Sequence, residues 1–215
     1  MKFGTVQTKY AAGGILAHSL VCGRDRFRKG KVLDEKDIRQ LIQFGYDEVV
    51  IARLEDNDTD ENLAAAKVAE NIHFLAEPEN FKKSIAFTGR VNIFARTTGI
   101  IVFDEENLIR ANSIDNMITI ATIPNYSQVT KGSIVATIKI ISYGVITSNL
   151  EKVASLATGT IRLKRPKYFS AHLITTKIYM GTSDKSLSAI KKRTDSLGLS
   201  LSAVSYTHLT LPTKA

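Results

Sequence analysis

The stretch YFSAHLITTKIYMGTSDKSLSAIKKRTDSLGLSLSA, residues 168–203, contains the clearest order of secondary structure in the chain. An apolar run through Leu173 and Ile174 is typical of a buried strand, and a second apolar run begins at Leu199. Between them, a helical pattern places three apolar side chains on one face: Leu187, Ile190 and Leu197. Strand, helix and strand in this order predict a β-α-β unit, whose two strands are parallel.

The loop between the first strand and the helix, residues 176–184, is a candidate site by its position. Ligands of open parallel sheets bind beyond the carboxyl ends of the strands. Ser183 and Asp184 begin the predicted helix, where free backbone N–H groups can face an anion. Simple N-capping by Ser183 or Asp184 is the alternative interpretation.

The last twelve residues, VSYTHLTLPTKA at 204–215, do not continue this pattern. Their apolar and polar residues alternate as in a strand, but the run resembles the translation of a sequencing adaptor. We therefore expect residues 168–203 to be the start of an incomplete α/β domain, and residues 204–215 to be an artefactual tail.

The middle of the chain, residues 84–147, has the pattern of a β-rich module. Gly89 and Gly99 separate short alternating runs, and β-branched residues fill MITIATI and SIVATIKIISYGVI. Lys131 before Gly132 raises the alternative of a carrier domain with a modified lysine at a hairpin tip. That lysine lacks the expected neighbours, so a plain β-module is favoured.

The N-terminal region, residues 1–83, contains one well-defined local unit. Asp34 is a good N-cap, Asp37 stands at the third helical position, and Gly45 follows the helix. The acidic run that begins at Glu55 has the alternation of a calcium loop, but it lacks the glycine and the final glutamate of one. We interpret it as a solvated linker whose last acids favour the next helix.

These patterns predict an α+β fold. Its segments are a mixed N-terminal region (1–83), a β-rich module (84–147), a helix with a linker (148–167), the incomplete parallel-sheet domain (168–203) and the tail (204–215). The predicted helices span residues 35–44, 61–72, 149–157 and 183–197.

Composition limits the classes of protein and of partner. The chain has 215 residues, 44% of them hydrophobic, and one cysteine, which excludes an intramolecular disulfide. No apolar run reaches the roughly 18 residues of a membrane helix, and the N-terminus lacks a signal-peptide core, so we expect a cytoplasmic protein. The net charge is +8, and residues 139–215 contain twelve Lys or Arg against three acids. Such a balance suits a phosphorylated small molecule or a nucleic acid.

An ordered set of stretches carries a family resemblance. They are AAGGILAHSL, FRKGKVLDEKDIRQLIQFGYDEVVIARLE, ENLAAAKVAENI, FTGRVNIFARTTGIIVFDEENLIRANSI, ITIATI and VTKGSIVATIKII. From about residue 1 to residue 202, the chain resembles the molybdopterin-binding proteins related to molybdopterin molybdenumtransferase. The resemblance implies a role in molybdenum-cofactor biosynthesis, with an α/β domain that binds the pterin.

The resemblance also implies a ligand, and the strand end and helix start of the β-α-β unit supply the expected contacts. The ligand is molybdopterin or the molybdenum cofactor, with Mg²⁺ as an accompanying ion. The expected contacts are Thr175, Thr176, Ser183 and Lys185, and we assign no catalytic residue and no metal ligand. Lys177 departs from the pattern, because relatives of the transferase usually have Gly there. The intact protein would be a molybdenumtransferase or a nucleotidyltransferase, and this chain an inactive fragment of it.

The alternative is a non-enzymatic module that binds nucleic acid or another protein. Nucleic acid is disfavoured, because the basic run at residues 162–167 has stacking aromatics only at its end, at Tyr168 and Phe169. No feature of the sequence predicts a membrane partner, and the oligomeric state stays open.

Overall fold

The computed structural model describes residues 1–74, 78–176 and 184–206. Its α-helices are α1 Glu35–Gln43, α2 Glu61–Phe74, α3 Glu105–Asn112, α4 Thr147–Ala157 and α5 Asp184–Ser196. Its strands are β1 Lys2–Gln7, β2 Ile15–Leu16, β3 Leu20–Cys22, β4 Asp25–Phe27, β5 Glu48–Arg53, β6 Asp58–Asp60, β7 Phe81–Lys83, β8 Arg90–Ala95, β9 Gly99–Phe103, β10 Ile118–Thr122, β11 Gln128–Val129, β12 Ile134–Ile140, β13 Gly144–Ile146, β14 Ile161–Lys164, β15 Ser170–Thr176 and β16 Ser200–Tyr206.

The mixed α+β class is confirmed. Helices α1, α2, α4 and α5 begin and end within two residues of the predicted bounds, where the structure describes those bounds, and α3 had no predicted bounds. The local signals explain this agreement for α1. Asp34 accepts a hydrogen bond from the Asp37 amide at 2.8 Å, and Asp37 accepts one from the Asp34 amide at 3.0 Å, which is a complete capping box. Gly45 follows in the left-handed conformation, with φ of 83°.

The N-terminal unit consists of a three-stranded antiparallel sheet, a hairpin and α1. The sheet has the strand order β1-β5-β2, and β3 pairs with β4. Strand and helix bury a common apolar cluster of Ala11, Leu16, Cys22, Phe27, Leu33, Ile38, Leu41, Val49 and Ile51. Burial of this area is what holds α1 on the sheet.

The middle unit holds the larger core. A four-stranded antiparallel sheet runs in the order β10-β12-β8-β7, and a three-stranded sheet runs in the order β11-β9-β14. Helix α4 packs against both α2 and α3, while α2 packs on β8 and β12 and α3 packs on β10. Its largest fully buried side chains are Phe81, Ile72, Ile93, Ile101, Ile118, Ile138, Ile140, Leu150 and Ile161.

The acidic run after Glu55 is more ordered than a solvated linker. Residues Asp58–Asp60 form β6, which pairs antiparallel with β13, so that interpretation is wrong for these residues. Asp60 accepts hydrogen bonds from the amides of Asn62 and Leu63, as expected for an acid at the start of a helix. Asp58 instead contacts the α-amino group of Met1.

The N-terminal and middle units are joined at Tyr143. Its hydroxyl donates a buried hydrogen bond to the carbonyl oxygen of Ala17 at 2.9 Å. The ring stacks with that of Phe3 at a centroid distance of 6.5 Å. Burial raises the pKa of this phenol, so it stays protonated and keeps its donor role.

The third unit is the predicted β-α-β crossover. Strands β15 and β16 pair in parallel, with Ser170 opposite Ser200 and Thr176 opposite Tyr206, and α5 connects them. Strand β16 continues past Ala203, because residues 204–206 pair with residues 174–176. Residues 207–215 of the expected tail lie outside the described residues.

Candidate functional site

The candidate site lies at the carboxyl edge of the parallel pair β15–β16. The register is continuous over seven residue pairs, so both strands end at the same level. Thr175 and Thr176 are the last two residues of β15, and they face Ser205 and Tyr206 across the pair. Helix α5 begins at Asp184, eight residues after the end of β15 in the chain. This is the edge at which ligands of parallel sheets bind.

The four residues expected to contact the ligand are described to different extents. Thr175 is half-buried, and its hydroxyl donates a long hydrogen bond of 3.5 Å to the carbonyl oxygen of Val204. Thr176 ends the strand, although its side chain lies outside the described atoms. Lys185 is exposed in the first turn of α5, and Ser183 lies outside the described residues. The structure thus places Thr175 and Thr176 together at the end of β15 and places Lys185 on helix α5.

The charge of α5 is mostly positive. Lys185, Lys191, Lys192 and Arg193 are all exposed on it, against Asp184 and Asp195. A cation near the carboxyl end of a helix also stabilises the helix itself, and Arg193 lies in the last turn. The amino-terminal Lys185 has no such role, which leaves its charge available for an anion.

A polar pair on the uncovered face of the sheet was not expected. A hydrogen bond joins Ser202 Oγ and His172 Nδ1, two exposed residues that are opposite each other in the parallel register. A catalytic pair of this kind needs a third group that orients the histidine. Its described neighbours on this face are the apolar Ile174 and Val204 on one side and the serines Ser170 and Ser200 on the other, and none of them carries a carboxylate, so we interpret the pair as a cross-strand link. No sequence signal could have found it without the strand register.

Metal ligation finds no support in the part of the chain that the structure describes. No group of three or more His, Cys, Asp or Glu side chains there is arranged to hold an ion. Cys22 is buried, and burial raises the pKa of its thiol, so it is a core residue.

Among the described residues, no helix has both the length and the apolar character needed to cross a bilayer.

Comparison with known proteins gives one match. A family model described as "Domain of unknown function (DUF8806)" matches residues 5–53. The matched region is most of the N-terminal unit, from β1 through α1 to β5, and does not include the β-α-β crossover. No curated protein and no solved structure matches the chain.

Proposed function

We propose that this chain is part of a molybdopterin-binding protein of molybdenum-cofactor biosynthesis. The observation that carries the proposal is the parallel β15–α5–β16 crossover, whose two strands end at the same level and whose helix follows β15 in the chain. Such an edge is the usual place for a phosphorylated ligand in an α/β domain. The sequence resemblance described above supplies the identity of that ligand.

Each proposed contact has a distinct role. The hydroxyl of Thr175 would exchange its long hydrogen bond to Val204 for one to the ligand, and the hydroxyls of Thr176 and Ser183 are the other proposed donors. Lys185 supplies a point charge for the phosphate. The positive balance of residues 139–215 supports an anionic ligand.

The protein would either insert molybdate into the pterin or attach a nucleotide to it. The proposed contacts bind and orient the ligand, and none of them is assigned as an acid, a base or a nucleophile. We place the protein in the cytoplasm, because its single cysteine is a buried free thiol of the kind that a reducing compartment preserves.

Anaerobic equilibrium dialysis of the full chain against molybdopterin tests the proposal. We expect saturable binding that the double variant Thr176→Ala/Lys185→Ala weakens by about tenfold, the effect of losing one charge-assisted hydrogen bond. The double variant Thr122→Ala/Lys152→Ala changes an exposed threonine and an exposed lysine elsewhere, and it should bind like the unchanged chain. Equal affinity in both variants would refute the site.

The alternative function, a nucleic-acid module, gives a different result. Salt-dependent binding of single-stranded RNA by the full chain, without binding of molybdopterin, would replace the proposal with that function.

A further inference from the structure

The outer face of the four-stranded sheet carries cations and polar groups. Val91, Ile93, Ile118 and Ile138 point into the core, so the alternate residues of the same strands point outward. The register places the outward residues in two rows across the sheet: Arg90–Lys139–Thr119, and Asn92–Thr137–Ala121. None of the four strands contains an aspartate or a glutamate.

The first row begins with two cations side by side. Arg90 of β8 is directly opposite Lys139 of β12, and both side chains are exposed. Directly opposed residues have Cβ atoms about 5 Å apart, and like charges in this arrangement destabilise a sheet. Neither side chain forms an ion pair with any residue that the structure describes. An anion bound between them would remove this repulsion.

Hydrogen-bond donors lie next to the two cations. Ser84 Oγ accepts a hydrogen bond of 3.0 Å from the backbone N–H of Asn92, and this contact leaves the Ser84 O–H free to donate. The side-chain oxygen of Asn92 accepts a hydrogen bond of 2.9 Å from the Thr137 hydroxyl. The side-chain NH₂ of Asn92 therefore points away from Thr137. The second row therefore presents donors, which suit the oxygens of an anion.

A strained turn fixes the rim of this surface. Thr88 and Gly89 connect Phe87 to Arg90, with φ values of 48° and 67°, and Phe87 and Arg90 exchange backbone hydrogen bonds of 3.1 Å. This is the backbone of a tight hairpin turn, and a β-branched residue in this region of φ is an outlier. A Cβ on Gly89 would lie 2.7 Å from the carbonyl oxygen of Ile140, so only glycine fits. Such strain often marks a binding site.

The same turn presents two large apolar side chains to solvent. Phe87 is 76% exposed and Ile85 is 91% exposed. Together with Ser84, Thr88, Arg90, Asn92 and Lys139, they line a cleft of about 330 Å³. This volume is at the lower end of the range for small-molecule sites, about 300–1,000 Å³. The lining contains no carboxylate, and the nearby Glu61 approaches the turn at Gly89 without lining the cleft.

We propose that this cleft binds a mononucleotide-sized organic phosphate. The phosphate lies between Arg90 and Lys139, with Ser84 and Asn92 as further donors, and the flat ring lies against Phe87. The proposal does not depend on the proposed function, because the cleft belongs to the middle unit and the pterin contacts belong to the crossover. Another cleft, of about 730 Å³, is lined by Lys9, Asp47 and Glu48 among others. Its lining carries both signs of charge, so it favours neither an anion nor a cation.

Titration calorimetry of the full chain with three probes tests the proposal. The probes are AMP, adenosine and ribose 5-phosphate, which present both ligand parts, the ring alone and the phosphate alone. We expect saturable binding of AMP, with adenosine and ribose 5-phosphate each at least about tenfold weaker, since each forfeits one set of contacts. No binding of AMP would overturn the proposal, and so would tight binding of a twelve-residue oligothymidylate that AMP does not displace.

Variants assign the binding to the cleft. Arg90→Ala and Lys139→Ala should each weaken AMP binding by about tenfold, and Phe87→Ser should weaken AMP without affecting ribose 5-phosphate. Lys152→Ala removes an exposed lysine of α4 that does not line the cleft, and it should leave AMP binding unchanged. Because Arg90, Lys139 and Phe87 are exposed, the variants should fold, and matching circular dichroism spectra verify this. AMP binding that survives Arg90→Ala and Lys139→Ala would contradict the assignment.

Discussion

The α-amino nitrogen of Met1 lies 2.6 Å from a carboxylate oxygen of Asp58 and 2.9 Å from one of Glu55. The hydrogen bond to the amino group lowers the pKa of Asp58, and the hydrogen bond to Asp58 raises the pKa of the amino group. The stabilisation from the carboxylate is present above its unfolded pKa of about 3.9, and is lost as the pH falls through the lower folded pKa. The stabilisation from the amine is present below about pH 8, and it is lost as the pH rises through the raised pKa of the amine in the folded state.

Asp58→Asn should therefore lower the thermal midpoint most between about pH 4 and pH 8, where both groups are fully charged. As the pH rises through the raised pKa of the amine, the difference from the unchanged chain should shrink, since the amine loses its proton in both proteins. Differential scanning calorimetry across this range measures the effect. Asp56→Asn, at an exposed acid outside these ion pairs, serves as the control. A pH-independent difference would contradict the ion-pair interpretation.

The buried carboxylate of Asp37 should matter more than its exposed neighbours on α1. It is 4% exposed, accepts the Asp34 amide and pairs with Lys31, so Asp37→Ala removes the charge-assisted contact and half of the capping box. We expect a loss of about 1–3 kcal/mol in the free energy of unfolding, measured by urea titration. Glu35→Ala, in the same turn but exposed, should change it by less than about 0.5 kcal/mol.

Two strand glycines should respond oppositely to substitution. A Cβ on Gly99 would lie 2.6 Å from the carbonyl oxygen of Lys164 and 2.7 Å from Leu163 Cδ2, so Gly99→Ala must move β14 away from β9. It should destabilise the fold by about 1–3 kcal/mol. Gly4 has open space around it, and Gly4→Ala should be neutral or slightly stabilising, because alanine loses less backbone entropy. Similar unfolding curves for the two variants would contradict the close approach of β14 to Gly99.

The side chain of Arg165 should hold the linker before the crossover. It donates from Nε at 2.8 Å, and also from Nη2, to the side-chain oxygen of the fully buried Asn80. Arg165→Lys keeps the charge but not the fork, so both Arg165→Lys and Arg165→Ala should cost about 1–3 kcal/mol. Lys167→Ala, two residues further on, should leave the free energy of unfolding unchanged. A stable Arg165→Lys protein would show that charge alone suffices there.

Deletion after Ala203 should change the main unfolding transition little. It removes residues 204–215, including the three that extend β16, and among the described residues beyond Leu163 only Thr194 is buried. The thermal midpoint should move by no more than about 2 °C, because the cores lie elsewhere. A second variant that ends after Tyr206 keeps the three residues that extend β16, so it tests residues 207–215 alone. A fall of many degrees would mean that residues 204–215 belong to the fold.

Local signals explain what the sequence predicted. The helices, the capping box of α1 and the turn at Gly45 each depend on residues within a few positions of one another. The parallel crossover was also predictable, because the order strand, helix and strand permits few topologies. Expectations based on such signals agree with the structure.

Long-range pairing explains what the sequence did not predict. Strand β6 joins β13 across more than eighty residues, and β9 pairs with β11 and β14 instead of its chain neighbour β8. The cationic pair Arg90–Lys139 and the link His172–Ser202 exist only through strand register, which no local pattern gives. At the proposed pterin site, local patterns assigned each residue to a strand or a helix but could not predict the distances between them.

The thin packing of the crossover has a consequence for amide hydrogen exchange. Gln128 Nε2 donates to the Ser196 carbonyl at 2.8 Å, which links α5 to the three-stranded sheet, but Ile174, Leu187 and Val204 remain at least 43% exposed. The crossover can therefore open as a separate cooperative unit while β8 and β12 stay protected. Its amides should acquire deuterium well before those of the middle sheet, and a ligand that slowed this exchange would reveal where it binds.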